Sequence, residues 1–96
     1  IMKTKKLVWE LESSIYLLDE IVQKYKSVDF GILKEGIAAY IGVTKGSVNM
    51  AIGNMKYILS DGGEGLSAYT TRQEEAVKLT LEKYDLSAKK LLMILS

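Results

Sequence analysis

The 96-residue, 10.7 kDa chain has room for one core, and with 48% hydrophobic and 26% charged residues it falls among ordinary globular sequences rather than disordered ones. Thirteen basic against twelve acidic residues leave a formal net charge of +1 and a pI near 8.1, so any affinity for a polyanion must come from a local patch. The absence of Cys and His removes disulfides, thiolate and imidazole metal ligands, thiol nucleophiles and imidazole acid–base catalysis.

From Leu7 to Lys26 the apolar residues Leu7, Leu11, Ile15, Leu18, Val22 and Tyr25 recur at intervals of three and four, which predicts a long first helix with one buried stripe. Its start is open: Glu10 is a poor cap and Thr4 a better one several residues upstream. Trp9 at the entrance reads as a packing staple or as an exposed aromatic that stacks on a partner. After Ser27 and Val28, Asp29 is the expected cap of a second helix reaching Ile41, with Phe30, Leu33, Ile37, Tyr40 and Ile41 inward and Lys34 and Glu35 toward water. Asp29-Phe30-Gly31 spells a kinase metal-binding tripeptide without the surrounding strands that would give it meaning.

The stretch from Ile37 to Ile52 has the grammar of a helix-turn-helix. Gly42 can end the first helix in a left-handed conformation, Val43 fills the angle, and Thr44 caps a third helix that runs to about Leu59. Ala38 is small enough for the two helices to cross closely, and Val48, Ala51 or Ile52, and Met55 form an inner face. The outer face is then Lys45, Ser47, Asn49, Met50, Asn54 and Lys56, groups suited to phosphates and base edges. Lys34, Lys56 and Arg72 are placed to meet flanking phosphates. A tight helical corner with no ligand is the alternative account of the same pattern. Gly46 and Gly53 cost a helix about 1 kcal/mol each relative to Ala, and each reads either as a packing glycine or as room for a close backbone approach.

Ser60 to Ala68 is the one substantial loop, pinned by Leu66; its Gly63-Glu64-Gly65 lacks the preceding strand that a dinucleotide loop needs. Thr70 or Thr71 caps a fourth helix, with Thr71-Arg-Gln-Glu74 fitting a capping box and Ala76, Val77, Leu79 or Thr80, Leu81 and Tyr84 facing inward. Ser87 caps a last helix, Ala88 to about Leu95, apolar on nearly every side. Such a helix must insert into the bundle, form a homodimer contact or lead into a further domain. The expected fold is all-α, one compact domain of about five helices over residues 2–96 that contains a helix-turn-helix.

No apolar run exceeds that from Leu91 to Leu95, too short for a membrane span, and no signal peptide is evident, so a cytoplasmic protein is expected. The carboxylate pairs Asp19-Glu20, Asp61 with Glu64, and Glu74-Glu75 read as solvated surface. No catalytic residue, metal site or cofactor is expected.

The spacing around Gly42 resembles the helix-turn-helix of phage repressors. Over a longer span, Trp9 followed by acidic residues, then Gly42-Val43-Thr44-Lys45-Gly46-Ser47-Val48-Asn49-Met50, Asn54-Met55, Gly65-Leu66-Ser67 and Glu74-Glu75, resembles the N-terminal helical domain of bacterial HNH-type restriction endonucleases. That resemblance implies a double-stranded DNA-binding module accompanying a nuclease domain, with the role falling on Thr44, Lys45, Gly46, Ser47, Asn49, Met50 and Asn54, the last of these with a structural alternative. The chain departs from the pattern in having no His for an HNH site and Glu10 where Ser or Thr usually follows the Trp. A protein-interaction or dimerisation module built on the apolar terminal helix is the competing function.

Overall fold

Helical periodicity and side-chain caps divide the chain into five helices in a computed structural model that describes residues 9–63, 65 and 69–96. They are α1 (Leu11–Lys24), α2 (Phe30–Ile41), α3 (Lys45–Leu59), α4 (Thr71–Lys83) and α5 (Ala88–Leu95), and no strand occurs among the described residues. The fold is all-α around one core, as the pattern predicts. Leu7, Leu66 and the Gly-x-Gly reading at Glu64 lie outside the described residues.

Most caps are those the sequence offers. Asp29 accepts from the Ile32 N–H, Thr44 from Ser47 and Ser87 from Lys90, each satisfying an amide that the helix itself leaves without a partner. Two differ. α1 begins after Trp9, with Glu10 in the cap position, and Ser13 does the capping: its hydroxyl accepts from the Glu10 N–H at 3.0 Å and donates to the Glu10 carbonyl at 3.1 Å. For α4 it is Thr70, one of the two expected caps, that opens the helix, but the reciprocal box is with Gln73 and not Thr71 with Glu74: Thr70 Oγ1 accepts from the Gln73 N–H at 3.2 Å and Gln73 Oε1 accepts from the Thr70 N–H at 3.0 Å.

The core joins Leu17, Leu18 and Ile21 of α1, Leu33, Ile37 and Ala38 of α2, Val48, Ala51, Ile52 and Met55 of α3, Ala76 and Val77 of α4, and Leu91, Ile94 and Leu95 of α5. α1 packs on α2, α4 and α5, and α3 packs on the same three. Because α1 has neighbours on several sides, its fully buried residues are Ser14, Leu17, Leu18 and Ile21, while Leu11, Ile15, Val22 and Tyr25 of the expected stripe are only half-buried. Tyr40, expected inside, is 73% exposed and stacks on Tyr16 with ring centroids 4.3 Å apart. Spacing gives a side chain's direction but not how far the neighbouring helices extend to cover it. On α4 Thr80 is the inward residue and Leu79 is exposed; the Thr80 hydroxyl donates to the Ala76 carbonyl at 2.9 Å.

α5 inserts into the bundle: Leu91, Ile94 and Leu95 are buried against this same chain and Met93 remains outside, 61% exposed. Among the described residues no helix is long and apolar enough to cross a membrane.

The chain after α3 closes back on that helix at a glycine contact. Gly65 has φ +84°, and a Cβ there would collide with the Gly53 carbonyl oxygen and come within 2.9 Å of the Tyr57 amide nitrogen. Gly65→Ala should therefore destabilise the fold by more than about 1 kcal/mol, measured by urea unfolding with an unchanged m-value, whereas Gly36→Ala on an exposed turn of α2 with open space at its Cβ should not.

Candidate nucleic-acid interface

The turn that aims α3 is built from backbone hydrogen bonds around one glycine. Gly42 sits at φ +89°, ψ +35°, a conformation that costs a residue with a Cβ about 1–2 kcal/mol. With Gly42 there, its own N–H and that of Val43 both reach the Ala38 carbonyl, at 2.8 and 3.0 Å, and α2 ends cleanly. Val43 is half-buried against the core, and Thr44 opens α3 by accepting the Ser47 N–H at 3.0 Å.

The rotation of α3 then follows from its inner face. Burying Val48, Ala51, Ile52 and Met55 turns Lys45, Gly46, Asn49 and Met50 outward over the first two turns, and all four are exposed, as is Thr44. A Cβ at Gly46 would meet only Thr44 Oγ1, at 3.7 Å, so α2 does not crowd that position as the packing account of this glycine required. The amides of Lys45 and Gly46, first in the helix, have no intrahelical acceptor and lie at the positive end of the helix dipole. From Gly36 to Ser60 the sequence has no Asp or Glu, so α3 carries Lys45 and Lys56 with no acidic residue along its length.

Other expected members behave differently. Asn54 is a correction: it is only 8% exposed, and its Nδ2 donates to Gln73 Oε1 at 3.4 Å, which makes it part of the α3–α4 contact and takes it off the outer face. It lies three residues beyond Ala51 and two beyond Ile52, on the side of α3 that α4 covers. Ser47 is half-buried, and its Oγ accepts from the Trp9 indole N–H at 3.0 Å; its own hydroxyl proton is left to donate. Trp9 therefore ties the chain ahead of α1 to the first turn of α3, a partnership that no sequence spacing announces.

Lys45 is not alone. Its Nζ lies 3.5 Å from Glu35 Oε2, an ion pair between two exposed side chains. An exposed pair of this kind is worth about 0–1 kcal/mol and is screened by salt. Lys34, half-buried, sits with its Nζ 4.8 Å from the centroid of the Phe30 ring. Lys56 is half-buried three turns along α3, and Arg72 is exposed in the first turn of α4. Among the described residues, no group of three or more His, Cys, Asp or Glu side chains could hold a metal ion.

The Trp9–Ser47 bond yields a two-residue test. Trp9→Phe keeps an aromatic ring but loses the N–H together with part of the packing surface, and should lower stability by at least about 0.5–1.5 kcal/mol. Adding Ser47→Ala to that variant should cost less than Ser47→Ala does in the original chain, a coupling read from a double-mutant cycle in urea.

No protein-family model, curated protein or solved structure matches this chain.

Proposed function

We propose that this chain is a duplex-DNA-binding module in which α2 and α3 act as a helix-turn-helix and the exposed side of α3 reads the major groove. One observation carries the reading: an acid-free helix whose apolar side is wholly taken up by the core presents Lys45, Gly46, Asn49 and Met50 together over its first two turns. A recognition helix enters the groove with its N-terminal residues toward the bases, which are the residues left outward here.

Each group has a chemical role in such a complex. Thr44 and Ser47 hydroxyls and the first amides of α3 suit phosphate oxygens, and Gly46 lets the backbone come close. Lys45 suits a phosphate or the O6/N7 edge of guanine, Asn49 the N6/N7 edge of adenine in bidentate fashion, and Met50 a thymine methyl. Lys34, Lys56 and Arg72 suit flanking phosphates. Asn54 is left out of this set because Gln73 holds it inside. Glu35 opposes the reading, since it lies beside Lys45 and would face the same polyanion, but exchanging an exposed pair for a phosphate contact costs about 1 kcal/mol or less.

The likeness of the Gly42–Met55 segment to nuclease-associated domains supports a role beside a nuclease, whose HNH chemistry this His-free chain cannot itself supply. Dimerisation through α5 has less behind it, because Leu91, Ile94 and Leu95 are already buried within one copy.

A polarisation titration of mixed-sequence duplexes at two salt concentrations tests the proposal. Affinity should fall with added salt, and the Lys45→Ala, Asn49→Ala double variant should lose on the order of 2–5 kcal/mol of specific binding. Duplex binding unchanged in that variant removes the assignment. Glu35→Gln should act in the opposite sense and tighten binding about two- to fivefold by removing a like charge from the face.

A further inference from the structure

On the side of the molecule formed by the end of α1, the turn after α4 and α5 lies a cleft of about 310 Å³. That volume is at the lower end of the range, about 300–1,000 Å³, of pockets that take small molecules. The cleft is made by the α4–α5 turn: Asp85 adopts φ +53°, and the Leu86 N–H reaches back to the Leu81 carbonyl at 2.9 Å, so that Leu86 folds under α5. Val22, Leu86 and Ile94 form its apolar surface, and Tyr84 lines it beside them.

The polar groups around the cleft divide sharply by charge. Tyr84 has its hydroxyl fully used, donating to Asp19 Oδ1 at 2.9 Å and accepting from Gln23 Nε2 at 2.8 Å, which holds the ring in place. Asp19 is also held by Lys83, 3.2 Å away, an interaction that raises the Lys83 pKa through the hydrogen bond and charge of Asp19. Asp19, the carboxylate that Tyr84 contacts, is thus paired, and the two charged residues that line the cleft are both lysines. Lys26 and Lys90, on opposite elements of the lining, have no ion pair among the described residues.

We propose that this cleft binds a small monocarboxylate with an apolar tail. Val22, Leu86 and Ile94 take the tail, and the Lys26 and Lys90 ammonium groups meet the carboxylate. Two uncompensated cations over an apolar floor complement an amphipathic anion and disfavour both a neutral and a cationic ligand with the same tail. The site shares no residue with the exposed face of α3, so it stands or falls separately from DNA binding.

Titrating the full chain with octanoate, octan-1-ol and octylammonium while following backbone amide shifts by NMR decides the matter. Octanoate should give saturable shifts confined to residues 18–26, residues 84–87 and α5, and should bind more tightly than the other two. The Lys26→Gln, Lys90→Gln double variant should bind octanoate about tenfold more weakly, the combined effect of two exposed charge pairs. Both lysines are exposed, and the variant should melt at the original temperature without octanoate; if it does not, each single variant should still weaken binding about threefold. Octan-1-ol or octylammonium binding as tightly as octanoate, shifts scattered over the surface without saturation, or lysine variants that bind as well as the original chain would each overturn the assignment.

Discussion

Everything on the outside of α3 is set by what its inside has to satisfy. Val48, Ala51, Ile52 and Met55 meet α2, α4 and α5, and a helix buried on three neighbours has little freedom to roll. The polar pair Asn54 and Gln73 adds direction to that packing. Gln73 is 1% exposed, and its side-chain oxygen accepts both the Thr70 N–H that closes the α4 cap and the Asn54 amide from α3. One side chain therefore couples a helix start to a helix–helix contact. Among the described residues Asn54 Oδ1 has no partner, so the direction comes from the Nδ2–Gln73 bond, whose loss would leave a further buried polar group unmatched.

The electrostatics of the molecule are local throughout. A net charge of +1 gives no overall attraction for a polyanion, and the ion pairs Lys24–Glu20, Lys83–Asp19 and Lys45–Glu35 neutralise three of the lysines among the described residues. α3, like α5, has no carboxylate along its length, and unlike α5 it turns its polar residues outward at the start of the helix without an excess of cations. Glu35 reaches that surface from the neighbouring helix, so Lys45 is shared between two helices. A contact this exposed exchanges readily, and its strength depends on ionic strength.

The helices themselves were legible because each carries its own punctuation. Asp29, Gly42, Thr44 and Ser87 act at the positions their chemistry suggests, and Val48, Ile52 and Met55 lie inward as their spacing requires. What was not legible is what needs a partner distant in sequence. Asn54 looks like a surface asparagine until Gln73, nineteen positions on, is brought against it, and Ser47 looks free until Trp9 arrives from thirty-eight positions upstream. Tyr40 fits the inward period of α2 yet stacks outside on Tyr16, because period reports angle and not depth. The α1 cap was hidden for a different reason: Ser13 supplies it from inside the helix, where a search for an upstream cap does not look.

Trp9 is the only tryptophan in the chain, and its indole nitrogen is bonded to the first turn of α3. The protein thus carries an intrinsic optical reporter fixed to that helix. Occupancy of that turn, or a change in the polarity around it, should register as a shift in emission without any dye being attached.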